Sequence, residues 1–259
     1  MLKDELKKKL PIHIFNRLMH VKNFFFPTAG YKKSALILRN LKAFYRNFIE
    51  PTDLVFDIGA NVGNRTAAFI GIGAKVVAVE PNPGCVRYLK ALYGKKAIVL
   101  QKGLGEREGV LDFYLADSST LSTFSQEWID RVSKERFKDN KWQTTIKTPV
   151  TTLDLMIAEY GKPKFIKIDV EGYESEVIAG LTQKVPFLSF EYTIPEGEGR
   201  LVSCLQTLKK CGDFEVNYSV GETMTLVLEE WFSSERFASY IKSNEFRDAD
   251  AGDIYIRFK

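Results

Sequence analysis

The sequence predicts an α/β fold, a mostly parallel sheet with helices on both faces, and three observations carry that prediction. Short apolar runs with an acidic residue at or near the end recur as LVFDI, VVAVE and FIKID, the pattern of parallel strands buried on both faces. Helical stretches follow them, through 67–70, 85–92 and the segment after Gly172, as βαβ units require. Each acidic residue leads into a turn, where the ligand crevices of open α/β sheets lie.

Composition bounds the rest. At 259 residues, 45% hydrophobic and 27% charged, the chain can build one large domain, or one domain with a small appendage. A net charge of +4, from 37 basic and 33 acidic residues, is too mild an excess to argue for nucleic acid. Cys85, Cys204 and Cys211 are too scattered for a disulfide framework or a C-x-x-C metal site. A reducing cytoplasm is the default location.

Residues 1–50 read as an N-terminal helical extension to a domain over 51–259. Lys3, Lys7, Lys8, Lys9, Arg17 and Lys22 surround Leu10, Ile12, Ile14, Phe15, Leu18 and Met19, with Pro11 breaking the pattern. No apolar run there approaches the ~20 residues that span a bilayer, and His13, Asn16 and Arg17 interrupt any signal-peptide core. One reading is a basic amphipathic helix that caps the substrate or rests on the inner face of a membrane. The preferred one is an extension packing Phe24, Phe25 and Phe26 on the domain, with His13 and His20 decorating it. Ser34–Ile49 has helical spacing at Leu38, Leu41, Phe44, Tyr45 and Phe48, and Pro51 is expected to end it.

The stretch DLVFDIGANVGNRT follows. Asp57 interrupts a buried strand and needs turn N–H groups or a ligand to satisfy it. Gly59 and Gly63 permit positive φ and let a ligand lie against the main chain. Asn64 or Thr66 is expected to cap the next helix. A dinucleotide fingerprint would need glycines where Asn61 and Asn64 stand, and a P-loop would need Gly-Lys-Ser/Thr in place of Asn64-Arg65-Thr66. Both fail. The remaining common user of such a turn is S-adenosyl-L-methionine, a sulfonium with no phosphate.

Val76–Val79 form a second buried strand ending in Glu80, about 20 residues beyond Asp57, the interval at which a carboxylate takes a cofactor ribose. Pro81-Asn82-Pro83 turns the chain into a helix, and Asn82 is grouped with the cofactor contacts. Ala97–Gln101 is a third strand, followed by QKGLGE at the height of an adenine. Gly109–Leu115 alternates as an added antiparallel strand. SSTLSTFSQEW reads either as a hydroxyl-lined loop over the ligands or as turn and cap chemistry. An insertion is placed near 117–147, with 126–144 helical.

In TTLDLMIAEYGKPKFIKIDVEGYESEVIAGL, Thr151 and Asp154 suggest a capping box, and Gly161 a helix stop. A strand is expected over Phe165–Val170, with Phe165, Lys167 and Asp169 on one face. Lys167 is unusual in a central strand, and pairing with a carboxylate would compensate its burial. Glu171, Gly172 and Tyr173 open a helix ending at Gly180. Further on, Leu201–Lys210 and 231–243 read as helical, and Phe214–Val220 and Ile254–Phe258 as strands.

DIGANVGNRT, VAVEPNP, and TTLD followed by FIKIDVEGYESEVIAG, in this order and spacing, resemble the FkbM family of S-adenosyl-L-methionine-dependent methyltransferases. The likeness covers about Thr52 to Tyr192. It implies a class I methyltransferase, a Rossmann-like sheet of seven strands, and transfer usually to a hydroxyl oxygen of a sugar, glycan or natural product. By position, Asp57, Gly59, Asn61, Gly63 and Glu80 correspond to cofactor contacts. Asp169, Glu171 and Gly172 match the second signature, beside the transferred methyl. QKGLGE departs from the Asn-x-Ala turn expected after the third strand.

Methyl transfer to a hydroxyl needs alignment, exclusion of water and a base. Asp169 is the first choice of base on geometry, then Lys167 and Glu171, with Glu191 at the end of the following strand also facing the crevice. Asp169 and Glu191 could instead hold a divalent cation. Tyr192 stands where a third oxygen ligand is wanted, so no metal is assigned. An amino-methyltransferase of nucleic acid would want Asn/Asp-Pro-Pro-aromatic where Ile168-Asp169-Val170-Glu171 stands, and a cytosine C5 enzyme would want Pro-Cys. A noncatalytic cofactor-binding module and a nitrogen acceptor remain the alternatives.

Overall fold

The structure, a computed structural model, describes residues 29–134 and 136–259. The basic segment with His13 and His20 lies outside the described residues. The first half comprises α1 (Ala29–Tyr45), β1 (Leu54–Ile58), α2 (Asn64–Ile72), β2 (Lys75–Val79), α3 (Pro83–Tyr93), β3 (Ala97–Leu100), β4 (Gly103–Leu104), β5 (Gly109–Leu115), a 3-10 turn at Ser119–Leu121 and α4 (Gln126–Val132). The second comprises β6 (Thr144–Thr151), α5 (Leu153–Tyr160), β7 (Phe165–Ile168), α6 (Glu174–Ala179), β8 (Phe187–Thr193), α7 (Glu198–Cys211), β9 (Phe214–Val220), β10 (Phe232–Ser233), α8 (Ser234–Tyr240), α9 (Asn244–Arg247) and β11 (Ala251–Phe258).

Seven strands run β3-β2-β1-β7-β8-β11-β9, and the two-residue β10 adds an eighth at the β9 edge. β3, β2, β1, β7 and β8 are mutually parallel, while β11 is antiparallel to both β8 and β9. The seven-stranded, mostly parallel sheet is the one expected from the sequence. The chain leaves the β3 edge and returns beside β1 as β7, so the strand order reverses between β1 and β7. That is the topological switch point, where open α/β sheets bind ligands.

Alternation along the strands builds two cores. Phe56, Ile58, Val77, Ile166, Ile168 and Phe190 face a cluster completed by residues of α5, α6 and α7. Val55, Val76, Phe165 and Tyr255 face the other way, against α1, α2 and Leu89. There Tyr45 of α1 packs on Phe69 and Phe165, with ring centroids 4.7 and 5.6 Å apart. Each such fully buried side chain contributes about 1.5–3 kcal/mol. On this second face a row of hydrogen-bonding side chains crosses five strands in register: Asp57, Lys167, Ser189, Tyr255 and Asn217.

Several local expectations are corrected. α1 ends at Tyr45, with a turn before Pro51. Gly63, at φ 88°, is the N-cap of α2, and Thr66 serves Asp57 instead. Thr152 caps α5 by accepting from the Leu155 N–H, while Asp154 accepts from the Thr182 N–H and hydroxyl. β7 stops at Ile168, and Asp169 to Gly172 form a turn. Among the described residues of the insertion only Gln126–Val132 is α-helical, and the β-branched TTIKTPVT that follows pairs antiparallel with β5 in a second sheet of order β4-β6-β5. No helix among the described residues is long and apolar enough to cross a membrane.

Candidate functional site

A cavity of about 310 Å³ opens at the switch point, walled by the β1, β2 and β7 ends, the 3-10 turn and the β3–β4 turn. Glu80, 6% exposed, stands in its wall. One carboxylate oxygen accepts the Asn61 N–H at 2.8 Å, the other the Asn82 N–H at 2.7 Å. Each oxygen keeps a lone pair for a further donor, which suits the paired hydroxyls of a ribose. Burial pushes Glu80 up to about 7, against the downward pull of those two N–H groups. Asn82 acts through Glu80 and through α3, which its side chain caps by accepting from the Gly84 N–H at 2.8 Å. The Asn61 side chain takes the Ser119 hydroxyl at 3.2 Å, tying the 3-10 turn to the loop.

The two glycines are needed for the chain's own packing. A β-carbon on Gly59, at φ 81°, would lie 1.8 Å from the Asp169 carbonyl oxygen, and one on Gly63 would lie 2.7 Å from both Leu89 and Tyr93. Gly59 lines the cavity; Gly63 stands behind it. Asp57, 1% exposed, is satisfied by the Thr66 hydroxyl at 2.5 Å. Burial raises it to about 6 in spite of that hydrogen bond.

Two sets of residues in the wall were not singled out from the sequence. Leu104, Phe113 and Phe124 give an apolar slot beside Lys102 and Gly103, with the two phenyl rings 4.7 Å apart. This slot suits an adenine. Arg65, in the first turn of α2, holds both oxygens of Glu222 at 2.8 and 2.7 Å, and its buried Nε has no partner among the described residues. That unused donor faces the needs of an amino-acid carboxylate. Ribose acceptor, apolar slot and free guanidinium N–H together fit S-adenosyl-L-methionine, with no phosphate-binding feature required.

The acidic end lies where β7 and β8 finish. Asp169, Glu171 and Glu191 bring carboxylate oxygens within 4.8 Å of one another, so Glu171 supplies the third oxygen that Tyr192 was expected to replace. Tyr192 instead points its phenol at the Ser219 carbonyl, 3.4 Å away in the core. Three such oxygens are also a donor set that a hard divalent cation accepts. Glu171 is held at φ 54° and Gly172 at φ 84°, a turn secured by Glu174, which accepts the Val170 and Gly172 N–H groups at 3.3 and 3.1 Å. A β-carbon on Gly172 would meet Trp128 at 2.2 Å, so the insertion packs directly on this turn.

Lys167 is fully buried beneath the site and stands outside the cavity wall. Its ammonium pairs with Asp253 at 2.8 Å and Asp169 at 3.3 Å. Burial alone would lower it, but the two carboxylates outweigh that and raise it. An ammonium held by two carboxylates and outside the cavity wall is arranged to position Asp169 and not to face an acceptor. Burial pushes Asp169 up, and Lys167, then Arg65, more than reverse it, leaving Asp169 below the usual carboxylate range. Glu171 and Glu191 move oppositely: burial first, then the charges of Asp169 and Glu174 on Glu171, and of Glu171, Asp169 and Glu174 on Glu191, raise both well above an ordinary glutamate.

A family model described as the methyltransferase FkbM domain matches residues 57–214, more than half of the chain. The chain is 30% identical over 144 residues to the hexuronic acid methyltransferase AglP of Haloferax volcanii; the match covers 54% of this chain and 55% of that protein. The chain thus spans about half the length of this curated relative. Among solved structures, a TehB-like methyltransferase from Corynebacterium glutamicum matches at 8% identity, covering 85% of this chain and 88% of that one with a TM-score of 0.43. Magnesium protoporphyrin IX methyltransferase from Synechocystis, crystallised with bound S-adenosylmethionine, gives 10% identity, coverages of 88% and 80%, and a TM-score of 0.43. The chain belongs to the FkbM family of S-adenosyl-L-methionine-dependent methyltransferases.

Proposed function

We propose that this methyltransferase O-methylates a hydroxyl of a sugar, free or within a glycan. The observation that carries the reading is the pairing of Glu171 and Glu191, beside Asp169, in the wall of the cofactor cavity. An aliphatic hydroxyl becomes a useful nucleophile only as its proton leaves, and a base titrating nearer neutrality than an ordinary carboxylate suits that transfer. The similarity to a hexuronic acid methyltransferase adds support for a sugar.

S-adenosyl-L-methionine supplies an electrophilic methyl on a sulfonium. Glu80 accepts the ribose hydroxyls, Leu104, Phe113 and Phe124 hold the base, and the Arg65 Nε donates to the methionine carboxylate. Asp169, kept ionised by Lys167, places a negative charge beside the sulfonium. The Glu171–Glu191 pair would take the hydroxyl proton as the methyl C–O bond forms and its C–S bond breaks, with S-adenosylhomocysteine as the neutral-sulfur leaving group, and would return the proton to water. Trp128, seated on Gly172, keeps water from that turn.

The test is incubation of the protein with cofactor and a panel of glycosides, simple alcohols and amines, with demethylated cofactor and products identified by mass spectrometry. Methylation at a sugar oxygen is expected. Methylation confined to amines, or no transfer from a protein that binds the cofactor, would overturn the reading.

A further inference from the structure

A second cavity, of about 220 Å³, lies on the other side of the same two glutamates. Glu171 and Glu191 are in the walls of both cavities. Trp128 and Phe137 of the insertion, the end of β8 and the start of α7 complete it. A ligand here reaches the carboxylates that the cofactor cavity also reaches, so the two cavities face each other across the proton-accepting pair. The room suits one six-membered ring and not an oligosaccharide.

The charges in this wall are unevenly matched. Arg136 is engaged twice, with Glu196 at 3.0 Å and Asp250 at 2.6 Å. Arg200 lies 4.0 Å from Glu174, whose other oxygen takes backbone N–H groups. That distance balances Arg200's charge without using its hydrogen bonds, and among the described residues its guanidinium makes none. Glu171 and Glu191 have no ion pair among the described residues. The cavity therefore offers surplus acceptors, one set of unused N–H donors, and an excess of negative charge.

We infer that this second cavity is the acceptor subsite, and that it takes a single uncharged sugar ring in preference to the corresponding uronic acid. Ring hydroxyls donate to Glu171 and Glu191 and accept from Arg200, so both kinds of wall group are satisfied at once. A ring carboxylate has no hydrogen to give the glutamates, and it adds like charge beside them. The one cation with free donors, Arg200, is already neutralised by Glu174. The inference rests on the sugar reading above.

The experiment uses matched methyl glycosides of glucose, galactose and mannose and their C6 carboxylate counterparts, which differ only in CH2OH against carboxylate. Binding to the full chain, saturated with S-adenosylhomocysteine, is followed by saturation-transfer NMR. At least one neutral glycoside is expected to bind about tenfold or more tightly than its acidic counterpart. Arg200→Gln should abolish that binding while calorimetry shows S-adenosylhomocysteine affinity unchanged, which also reports a folded protein. Equal or tighter binding of the acidic member in every pair would overturn the neutral-ring inference and leave the sugar reading standing. No binding of any of the six would overturn both, and binding unaffected by Arg200→Gln would remove this cavity as the subsite.

Discussion

Gly59 and Asp169 are in main-chain contact across the switch point: the space a Gly59 β-carbon would need is occupied by the Asp169 carbonyl oxygen, at 1.8 Å. The Asp169 N–H also donates to the Ile58 carbonyl at 2.9 Å, so the glycine loop after β1 and the turn that carries the acids are fixed to each other. Gly59→Ala must combine a left-handed backbone, about 1–3 kcal/mol for a non-glycine residue, with a backbone overlap. We expect it to lower stability in urea unfolding by about 2 kcal/mol or more and to weaken cofactor binding. Gly109→Ala, at a position with nothing within 4 Å, is the control and should change neither. A fully stable Gly59→Ala would show that the contact can yield.

Lys167 stabilises by charge pairing inside the sheet. Removing it leaves Asp253, which then keeps the Tyr255 hydroxyl at 3.3 Å, and in part Asp169, without a charge partner, a loss of about 3–5 kcal/mol for a broken buried pair. Lys167→Met should show this in chemical denaturation. Lys167→Met with Asp253→Leu should recover part of it, because the orphaned charge is gone. A double variant less stable than Lys167→Met would mean that Asp253 is held by something other than the ammonium.

The cofactor half of the site was legible in the chain because local sequence builds it: Asp57, Gly59, Asn61 and Glu80 lie on two strand–turn units, and strand ends plus glycines are visible without tertiary information. Lys167's need for a carboxylate was also legible. Its main partner was not, because Asp253 arrives on β11, 86 positions away, in a strand whose own alternation gives no hint of the pairing. Arg65 was passed over as a mismatch to a P-loop. The third carboxylate was misplaced because Glu171 reads as a helix residue until its positive φ turns it toward Glu191. The β6 strand was hidden for another reason: charged residues at 126–144 set a helical reading that the β-branched residues after them did not share.

Glu80 makes stability and cofactor binding depend on pH in a stated direction. Burial raises it from 4.5 to about 7, so the folded chain holds the proton more tightly than the unfolded chain does. Its contribution is fully present below pH 4.5 and is lost as pH rises through about 7. Asp57, raised from 3.8 to about 6, acts in the same sense over a lower window. Glu80→Gln cannot ionise, so the stability of Glu80→Gln relative to wild type should increase from pH 5 to pH 8 in paired thermal melts without ligand. The same substitution removes a charged acceptor from the ribose and should weaken S-adenosylhomocysteine binding about 10- to 100-fold. A pH-independent difference between the two proteins would place Glu80 in solvent contact.

Glu171 and Glu191 divide the chemistry from the binding. Both are raised, by burial first and then by neighbouring carboxylates, Asp169 and Glu174 among them, so they titrate as coupled groups above an ordinary glutamate. With an acceptor identified by the panel, kcat should rise with pH as the pair loses its proton. Glu191→Gln and Glu171→Gln should each lower kcat about 10²- to 10⁴-fold, the range for a lost general base, and change S-adenosylhomocysteine affinity about threefold or less. Asp169→Asn should behave differently. Lys167 already keeps Asp169 ionised, so this variant should lower kcat while leaving the rise with pH in place. If Asp169→Asn erased the rise and the two glutamine variants kept it, the proton would pass to Asp169, and the glutamate pair would serve only to shape the acceptor cavity.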